Sequence, residues 1–366
     1  MPKIKIPRNP DQITKNWLNE VLRKSGPIKD TKIVTHSIKS LEIGIGSANI
    51  VRIIVEYDHP VEGVPSSMIA KFVSVKKIPH AEKLMDLSDI EVYFYKHLGS
   101  NSGISIPQCF YAGIDMQSGD YLLLMEDMSK CRIGNLSGNL DDVETAIRHI
   151  ARFHAKWWNC KKLNKLPWGT LFSSNSGRNE GLFKTFLDSL VRVKEIFGNK
   201  IPETFCWVAD RLKNTDLSIL TDSPLTLVHG DFHPGNIFFQ SNNEGRFAVF
   251  DWEAVHTGCA GQDLGRIITL GLSREQRELH QDSLVKLYHK ILLENVSIEY
   301  SLNQCWDNIR RGLLYNVFIN TIGAARQDKK RIEQLDETSV EFIVDIYFGR
   351  IDGALRSINI KELLPF

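Results

Sequence analysis

A change of hydrophobic period partway along the chain constrains its fold more than any other feature. Before residue 128 the apolar residues come in short β-branched or alternating runs, at 38–43, 50–57, 67–73, 109–113 and 121–126. After Asp141 the period becomes helical, with Val143, Ala146, Ile147, Ile150, Ala151, His154 and Trp158 on one stripe. Further helical patterns cover 181–197, 203–213, 262–270, 274–294, 301–325 and 336–356, interrupted by short strands at 225–229, 236–239 and 247–251. The strand-rich part holds two helical patterns of its own, 80–98 and 11–25. The latter carries Ile13, Trp17, Leu18, Val21 and Leu22 and stops at Ser25-Gly26-Pro27. The pattern predicts an α+β chain: a sheet with a helix packed on it over 1–128, and a mainly helical part over 129–366. A chain of 366 residues has the length for about two folding units. Residues 173–179 are the most loop-like, as a substrate loop or a helix connector.

Charge and cysteine usage narrow the class of partner. The 45 Lys and Arg nearly cancel the 44 Asp and Glu, so no general attraction to a nucleic-acid polymer or an anionic membrane is expected, and any charged ligand must be bound locally. The six cysteines stand singly, with no pair closer than Cys109 and Cys131, which reads as reduced thiols and a cytoplasmic setting. No apolar run reaches the ~18 residues needed to insert in a bilayer; 312–325 is nearest but is short and contains Asn316 and Asn320.

The chemistry concentrates after the apolar run 225–228. The chain reads His229-Gly230-Asp231-Phe232-His233-Pro234-Gly235-Asn236, and then Val249-Phe250-Asp251-Trp252-Glu253. An Asp followed five residues later by an Asn, and fifteen further on by an Asp at a strand end, supplies what phosphoryl transfer requires. One carboxylate faces an acceptor hydroxyl, while an amide oxygen and a second carboxylate offer the hard donors that Mg²⁺ prefers.

This segment resembles the catalytic loop of the aminoglycoside phosphotransferase and choline kinase-like (ecdysteroid kinase-like) small-molecule kinases, relatives of the protein kinases. The resemblance extends to Gly44 and Gly46 as a phosphate-covering loop, Ile69-Ala70-Lys71 as the strand lysine, and Glu91-Val-Tyr-Phe-Tyr as the helix with its partner glutamate. Leu122-Leu-Leu-Met-Glu-Asp-Met128 resembles the hinge, and Ala151-Arg-Phe-His-Ala-Lys-Trp-Trp158 the first helix of the C-lobe core. Elements in kinase order run from residue 44 to 265. The resemblance implies a bilobal protein-kinase-like fold, with an antiparallel N-lobe over 1–128 and a helical C-lobe over 129–366. It implies ATP and Mg²⁺ as cofactors, Asp231 as the catalytic carboxylate, and Asn236 and Asp251 as metal ligands. Nucleotide binding would fall to Gly44, Gly46, Ser47, Lys71 held by Glu91, and the backbone of Glu126 and Met128. Asp263, in Gly261-Gln-Asp-Leu-Gly265, matches an aspartate that braces the catalytic loop.

Each residue has a plainer reading. Two glycines between β-branched strands make a hairpin turn by themselves, strand lysines are usually solvated, and Glu91 shares its helix with Glu82, Asp86 and Asp89. His229 and His233 stand four apart, but Gly230, Pro234 and Gly235 rule out the helix that a zinc pair needs, so His229 is expected to shape the loop. His154 is expected to be a satisfied core histidine, while Trp157, Trp158 and Trp252 fit either a core or an acceptor pocket. Asn49 replaces the third glycine of protein kinases, Trp-Glu replaces Phe-Gly after Asp251, and no Ala-Pro-Glu follows, all of which point away from protein substrates.

The expected function is transfer of the γ-phosphate of ATP to a hydroxyl of a small molecule, with a nucleotide-binding pseudokinase as the alternative. A hydrolase or metal-dependent lyase lacks its Gly-x-Ser-x-Gly or His-Glu-x-x-His. The acceptor is left open: Asp307, Glu333, Asp336 and Glu337 suit a cation, but Arg310, Arg311, Lys329, Lys330 and Arg331 lie among them, and Trp207, Trp306, Tyr315 and Phe318 suit an apolar molecule.

Overall fold

The computed structural model describes residues 5–41, 48–74, 88–136, 138–168, 177–220, 224–241, 245–358, 360 and 363–364. In chain order they form α1 (Lys15–Ser25), β1 (Ile33–Ser40), β2 (Ala48–Tyr57), β3 (Ser67–Val73), α2 (Ser88–Tyr93), β4 (Cys109–Ile114), β5 (Tyr121–Glu126) and β6 (Arg132–Ile133). There follow α3 (Leu140–Trp157), α4 (Gly177–Phe197), α5 (Glu203–Leu212), β7 (Leu225–Val228), β8 (Ile237–Phe239), β9 (Ala248–Val249) and β10 (His256–Cys259). The chain ends in α6 (Gly261–Gly271), α7 (Arg274–Asn295), α8 (Leu302–Ala325), α9 (Lys329–Glu333), α10 (Glu337–Val344) and α11 (Arg350–Ser357). Two compact units result: 1–132 with 240–253, and 133–239 with 254–366.

The first unit is an antiparallel sheet in the order β1-β2-β3-β5-β4. β5 is the strand most buried on both faces, which is why Tyr121-Leu-Leu-Leu is a continuous apolar run rather than an alternating one. Helix α1 covers one face. Thr14 caps it by accepting from the Trp17 N–H, and Gly26, at φ 94°, ends it. Its buried stripe, Trp17, Leu18, Val21 and Leu22, packs with Val51, Ile53, Met68, Ala70 and Leu122 of the sheet. Strand β1 starts at Ile33, earlier than the expected 38, because its edge position tolerates the polar alternation of 34–40 that hid it in the sequence. The expected helix over 80–98 is seen from Ser88 and changes at Phe94–Leu98 into a π-helical turn.

The second unit is built on α6 and α8. They cross at Gly261 and Gly312, where a Cβ on either glycine would lie within 2.0 Å of the other helix's backbone. The same two helices reach the loop that follows β7, through Asp263 of α6 and Tyr315 of α8. The β7 strand pairs with β10, which the sequence reading missed because His-Thr-Gly-Cys has no β-branched alternation. The expected helix over 336–356 is α10, a π-helical turn at Asp345–Gly349, and α11. Of the loop-like stretch, 173–176 lie outside the described residues and 177–179 open α4. Among the described residues, no helix is long and apolar enough to cross a membrane.

Candidate active site

In the first unit β3 turns Ala70 and Phe72 into the core and leaves Lys71 on the opposite face. There the Lys71 ammonium donates to both oxygens of Glu91, at 3.1 and 2.9 Å, and to Asp251 Oδ1 at 2.6 Å. The Tyr121 hydroxyl donates to Glu91 Oε2 at 2.8 Å, so a carboxylate only 1% exposed is bonded on both sides. Burial pulls the Lys71 pKa down, but Asp251 and Glu91 outweigh it and hold the ammonium well above its ordinary range. One cation thus faces two carboxylates.

Asp251 has φ 65°, a left-handed conformation costly for a residue with a Cβ. Its neighbour holds the turn: Trp252 is fully buried, stacks on Phe94 at 3.9 Å between ring centroids, and donates its indole N–H to the Val249 carbonyl at 3.0 Å. Trp252 is therefore core, as are Trp157 and Trp158 at 6% and 8% exposure. Glu126 donates its backbone N–H to the Gln108 carbonyl at 2.8 Å, and its carboxylate pairs with Arg246 at 2.5 Å. Met128 is buried and its carbonyl accepts from Cys131 at 2.9 Å. Between them Asp127, which sequence reasoning passed over, accepts from Ser67 at 2.8 Å and pairs with Arg52. Gly44, Gly46 and Ser47 lie outside the described residues.

In the second unit β7 delivers the chain into His229-Gly230-Asp231. Gly230 has φ 82°, and a Cβ there would lie 2.3 Å from the Ala254 carbonyl oxygen, so only glycine fits. Asp263 on α6 accepts from the backbone N–H groups of His229 and Gly230 at 2.7 and 2.9 Å. It also lies 3.2 Å from His154 Nε2, whose Nδ1 is 2.9 Å from the Tyr288 hydroxyl. Burial raises the Asp263 pKa, yet His154 and the bonds from the loop outweigh it and leave the carboxyl below its ordinary value. The Tyr315 hydroxyl donates to the Gly230 carbonyl at 3.1 Å.

The Asp231 carboxylate is hydrogen-bonded at Oδ2 and ion-paired at Oδ1. Asn236 donates through Nδ2 to the Asp231 carbonyl at 3.0 Å and to Oδ2 at 3.2 Å, and Arg266 Nη2 lies 2.5 Å from Oδ1. His233 Nε2 is 3.6 Å from Oδ2. Burial raises the Asp231 pKa, but Arg266 and His233 outweigh it and hold the carboxyl well below the usual range. His229 Nδ1 accepts the Asp231 N–H at 3.2 Å, which is loop-shaping work. Sequence reasoning missed Arg266. Its signal was a lone cation three residues after Asp263 in a wholly buried helix.

The structure thus brings Lys71, Glu91 and Asp251 together in one unit, and Asp231, Asn236 and Asp263 together in the other. Comparison with solved structures finds the same fold. A choline kinase from Cryptosporidium parvum superposes with TM-score 0.58 at 12% identity, over 96% of this chain and 98% of that one. Choline kinase LicA from Streptococcus pneumoniae gives 0.52 at 14% identity, over 93% and 98%. At such identities the likeness is one of fold, and it is the expected bilobal α+β kinase-like fold. No curated protein sequence matches. The ecdysteroid kinase-like family model matches residues 61–298, about two thirds of the chain, which include the lysine strand and both aspartate segments. The chain belongs to the ecdysteroid kinase-like family and is a small-molecule kinase.

Proposed function

We propose that the protein transfers the γ-phosphate of ATP to a hydroxyl of a small molecule, with Mg²⁺ as the counter-ion. The observation that carries this reading is Lys71, a largely buried ammonium aimed by Glu91 and shared with Asp251. Catalysis of phosphoryl transfer is mostly positioning and charge neutralisation, and a lysine locked by a glutamate is a fixed positive charge for phosphate oxygens. On this reading Lys71 exchanges Asp251 for the α- and β-phosphates while Glu91 keeps it aimed. Gly44, Gly46 and Ser47 cover the phosphates, and the backbone of Glu126 and Met128 takes the adenine edge. LicA, which shares the fold, has been solved in complex with AMP.

Asn236 and Asp251 are the proposed metal ligands. Both are hard oxygen donors, and Lys71 leaves one of its two carboxylates uncompensated, which fits a divalent cation. Bound there, Mg²⁺ would neutralise charge on the phosphates. Asp231 accepts a hydrogen bond from the acceptor hydroxyl and aims its oxygen at the γ-phosphorus. With its pKa held down, Asp231 is a weak base. It therefore takes the proton late, as the new O–P bond forms and the bond to ADP breaks.

The acceptor is proposed to be an uncharged molecule with a steroid-like hydroxyl. The family's description points that way. So does the commitment of acidic residues elsewhere: Asp307 pairs with Arg310, Asp336 caps α10 through Ser339, and Glu333 lies 3.9 Å from Lys329. Of the aromatic residues, Tyr315 and Phe318 are core, and Trp306 borders a cavity of about 10 Å³, room for one water only. All six cysteines are free thiols, which supports a cytoplasmic setting.

The test is incubation of the protein with Mg²⁺, γ-labelled ATP and a panel of steroid alcohols, amino alcohols, sugars and aminoglycosides, beside Asp231→Asn. A labelled steroid made only by the wild type is the expected result. A labelled amino alcohol or aminoglycoside would overturn the acceptor class. ATP raising Tm with nothing labelled would favour a pseudokinase.

A further inference from the structure

We propose that Arg266 is a positioning residue for Asp231, set in place by Asn320 and, through it, by the π-helical turn at Asp345–Gly349. The inference deepens the phosphotransfer reading and rests on it for its catalytic meaning. Arg266 is 7% exposed and its guanidinium reaches two ways: Nη2 to Asp231 Oδ1 at 2.5 Å, and Nη1 to Asn320 Oδ1 at 2.8 Å. Asn320 is 3% exposed and is itself aimed. Its amide nitrogen donates to the Tyr347 carbonyl at 2.7 Å, with the Ile346 carbonyl at 3.5 Å.

Those two carbonyls belong to the π-helical turn, where the regular helical ladder is interrupted and backbone oxygens can serve a side chain. Because the oxygen and nitrogen of an asparagine share one plane, committing the nitrogen to backbone turns the oxygen toward Arg266. The turn is anchored in its own right. Arg350 donates through Nε to Asp345 at 2.8 Å and through Nη1 to the Leu270 carbonyl, on the helix that carries Arg266, at 2.8 Å.

A planar fork is what the arrangement requires. A guanidinium can hydrogen-bond Asn320 through one nitrogen, in a fixed direction, while a second nitrogen lies in ion-pair contact with Asp231, whereas an ammonium is a point charge free to favour either. The result at Asp231 is a carboxylate hydrogen-bonded by Asn236 at Oδ2 and drawn to the Arg266 charge at Oδ1, so the two contacts together set its plane. An acceptor hydroxyl aligned by that carboxylate's lone pairs is sensitive to their direction, and a misplacement near 1 Å costs about 10²-fold in rate.

The test compares full-length Arg266→Lys, Asn320→Leu and the double variant with wild type. Crystal structures read the Asp231 orientation. Kinetics read Mg-ATP turnover with the acceptor found above, or with water if none is found. In both single variants the Asp231 carboxylate is expected to turn from its wild-type plane. The kcat should fall about 10²-fold in Arg266→Lys and about tenfold in Asn320→Leu, with KM for ATP within about twofold. The double variant should be no slower than Arg266→Lys, because both substitutions break one chain. An unmoved carboxylate, or losses that multiply in the double variant, would overturn the proposal, as would a lowered Tm with kcat intact. If wild type transfers no phosphate yet the carboxylate turns in the variants, the kinase reading fails and the positioning chain stands.

Discussion

The charged clusters of the two units are built on opposite plans. At Lys71 a single cation lies between two carboxylates, contributed by segments 20 and 180 residues away. At Asp231 a single carboxylate lies beside Asn236 and Arg266, and two of the residues that bond Asp231, Asn236 and His229, sit within five residues of it. The first arrangement leaves one negative charge over, and the proposed function has Lys71 exchange a partner. The second hydrogen-bonds one carboxylate oxygen and ion-pairs the other. On the proposed reading, a group that meets an incoming phosphate has to be held by partners it can leave, whereas a group that aims a hydroxyl has to be held still. The same contrast appears in the backbone: strain sits at Asp251, in contact with Lys71, while the Asp231 loop places its left-handed φ on Gly230 at little cost.

The largest expected effect falls on the rigid cluster. Asp231→Asn removes the charge but not the shape and should lower phosphoryl transfer by about 10³-fold, read with γ-labelled ATP. A variant within tenfold of wild type would erase the distinction between the two clusters. Next comes Lys71→Met, which leaves Glu91 and Asp251 facing each other without a cation. The expected cost is about 3 kcal/mol, at the low end for a buried pair because the Asp251 side chain is one third exposed. Thermal unfolding checks it, and a Lys71→Met/Glu91→Leu double variant should regain part of the loss.

Asp263→Asn should cost about 2 kcal/mol, since two backbone N–H groups lose a charged acceptor. The pH dependence gives the sign. The folded pKa of Asp263 lies below its unfolded value of 3.8, so its stabilisation is present above about pH 4 and is lost as pH falls through the folded pKa. The Tm gap between wild type and variant should be constant from about pH 5 to 7 and narrow below about pH 4. A gap that widens on acidification would reverse the assignment. The smallest effect is Tyr315→Phe, which removes one neutral hydrogen bond to the Gly230 carbonyl and should cost about 1 kcal/mol in denaturant unfolding.

What was readable in advance follows from how locally each feature is encoded. Strands β3 and β5 were placed to the residue because β-branched or continuous apolar runs mark buried strands. The His-Gly-Asp loop was legible because its holders are near in sequence: His229 and Asn236 bond Asp231 from two and five residues away. The family resemblance implied Asp263 as a brace, and its bonds to the loop amides are that brace. By contrast β10 is a strand only because β7 offers it a partner, and the π-helical turns leave the apolar period of their helices almost unchanged.

The sequence by itself determined the α+β order of the elements, the family resemblance and the loop that carries Asp231, since these depend on short-range periodicity, turn chemistry and spacing. The tertiary structure alone decided that residues 240–253 join the first unit, that Trp252 is core rather than acceptor pocket, and that Arg266 reaches Asp231 under the direction of Asn320. Each of those depends on contacts between segments tens to hundreds of residues apart. The energy of such contacts is set by burial and by donor geometry in three dimensions, and neither leaves a period in the chain.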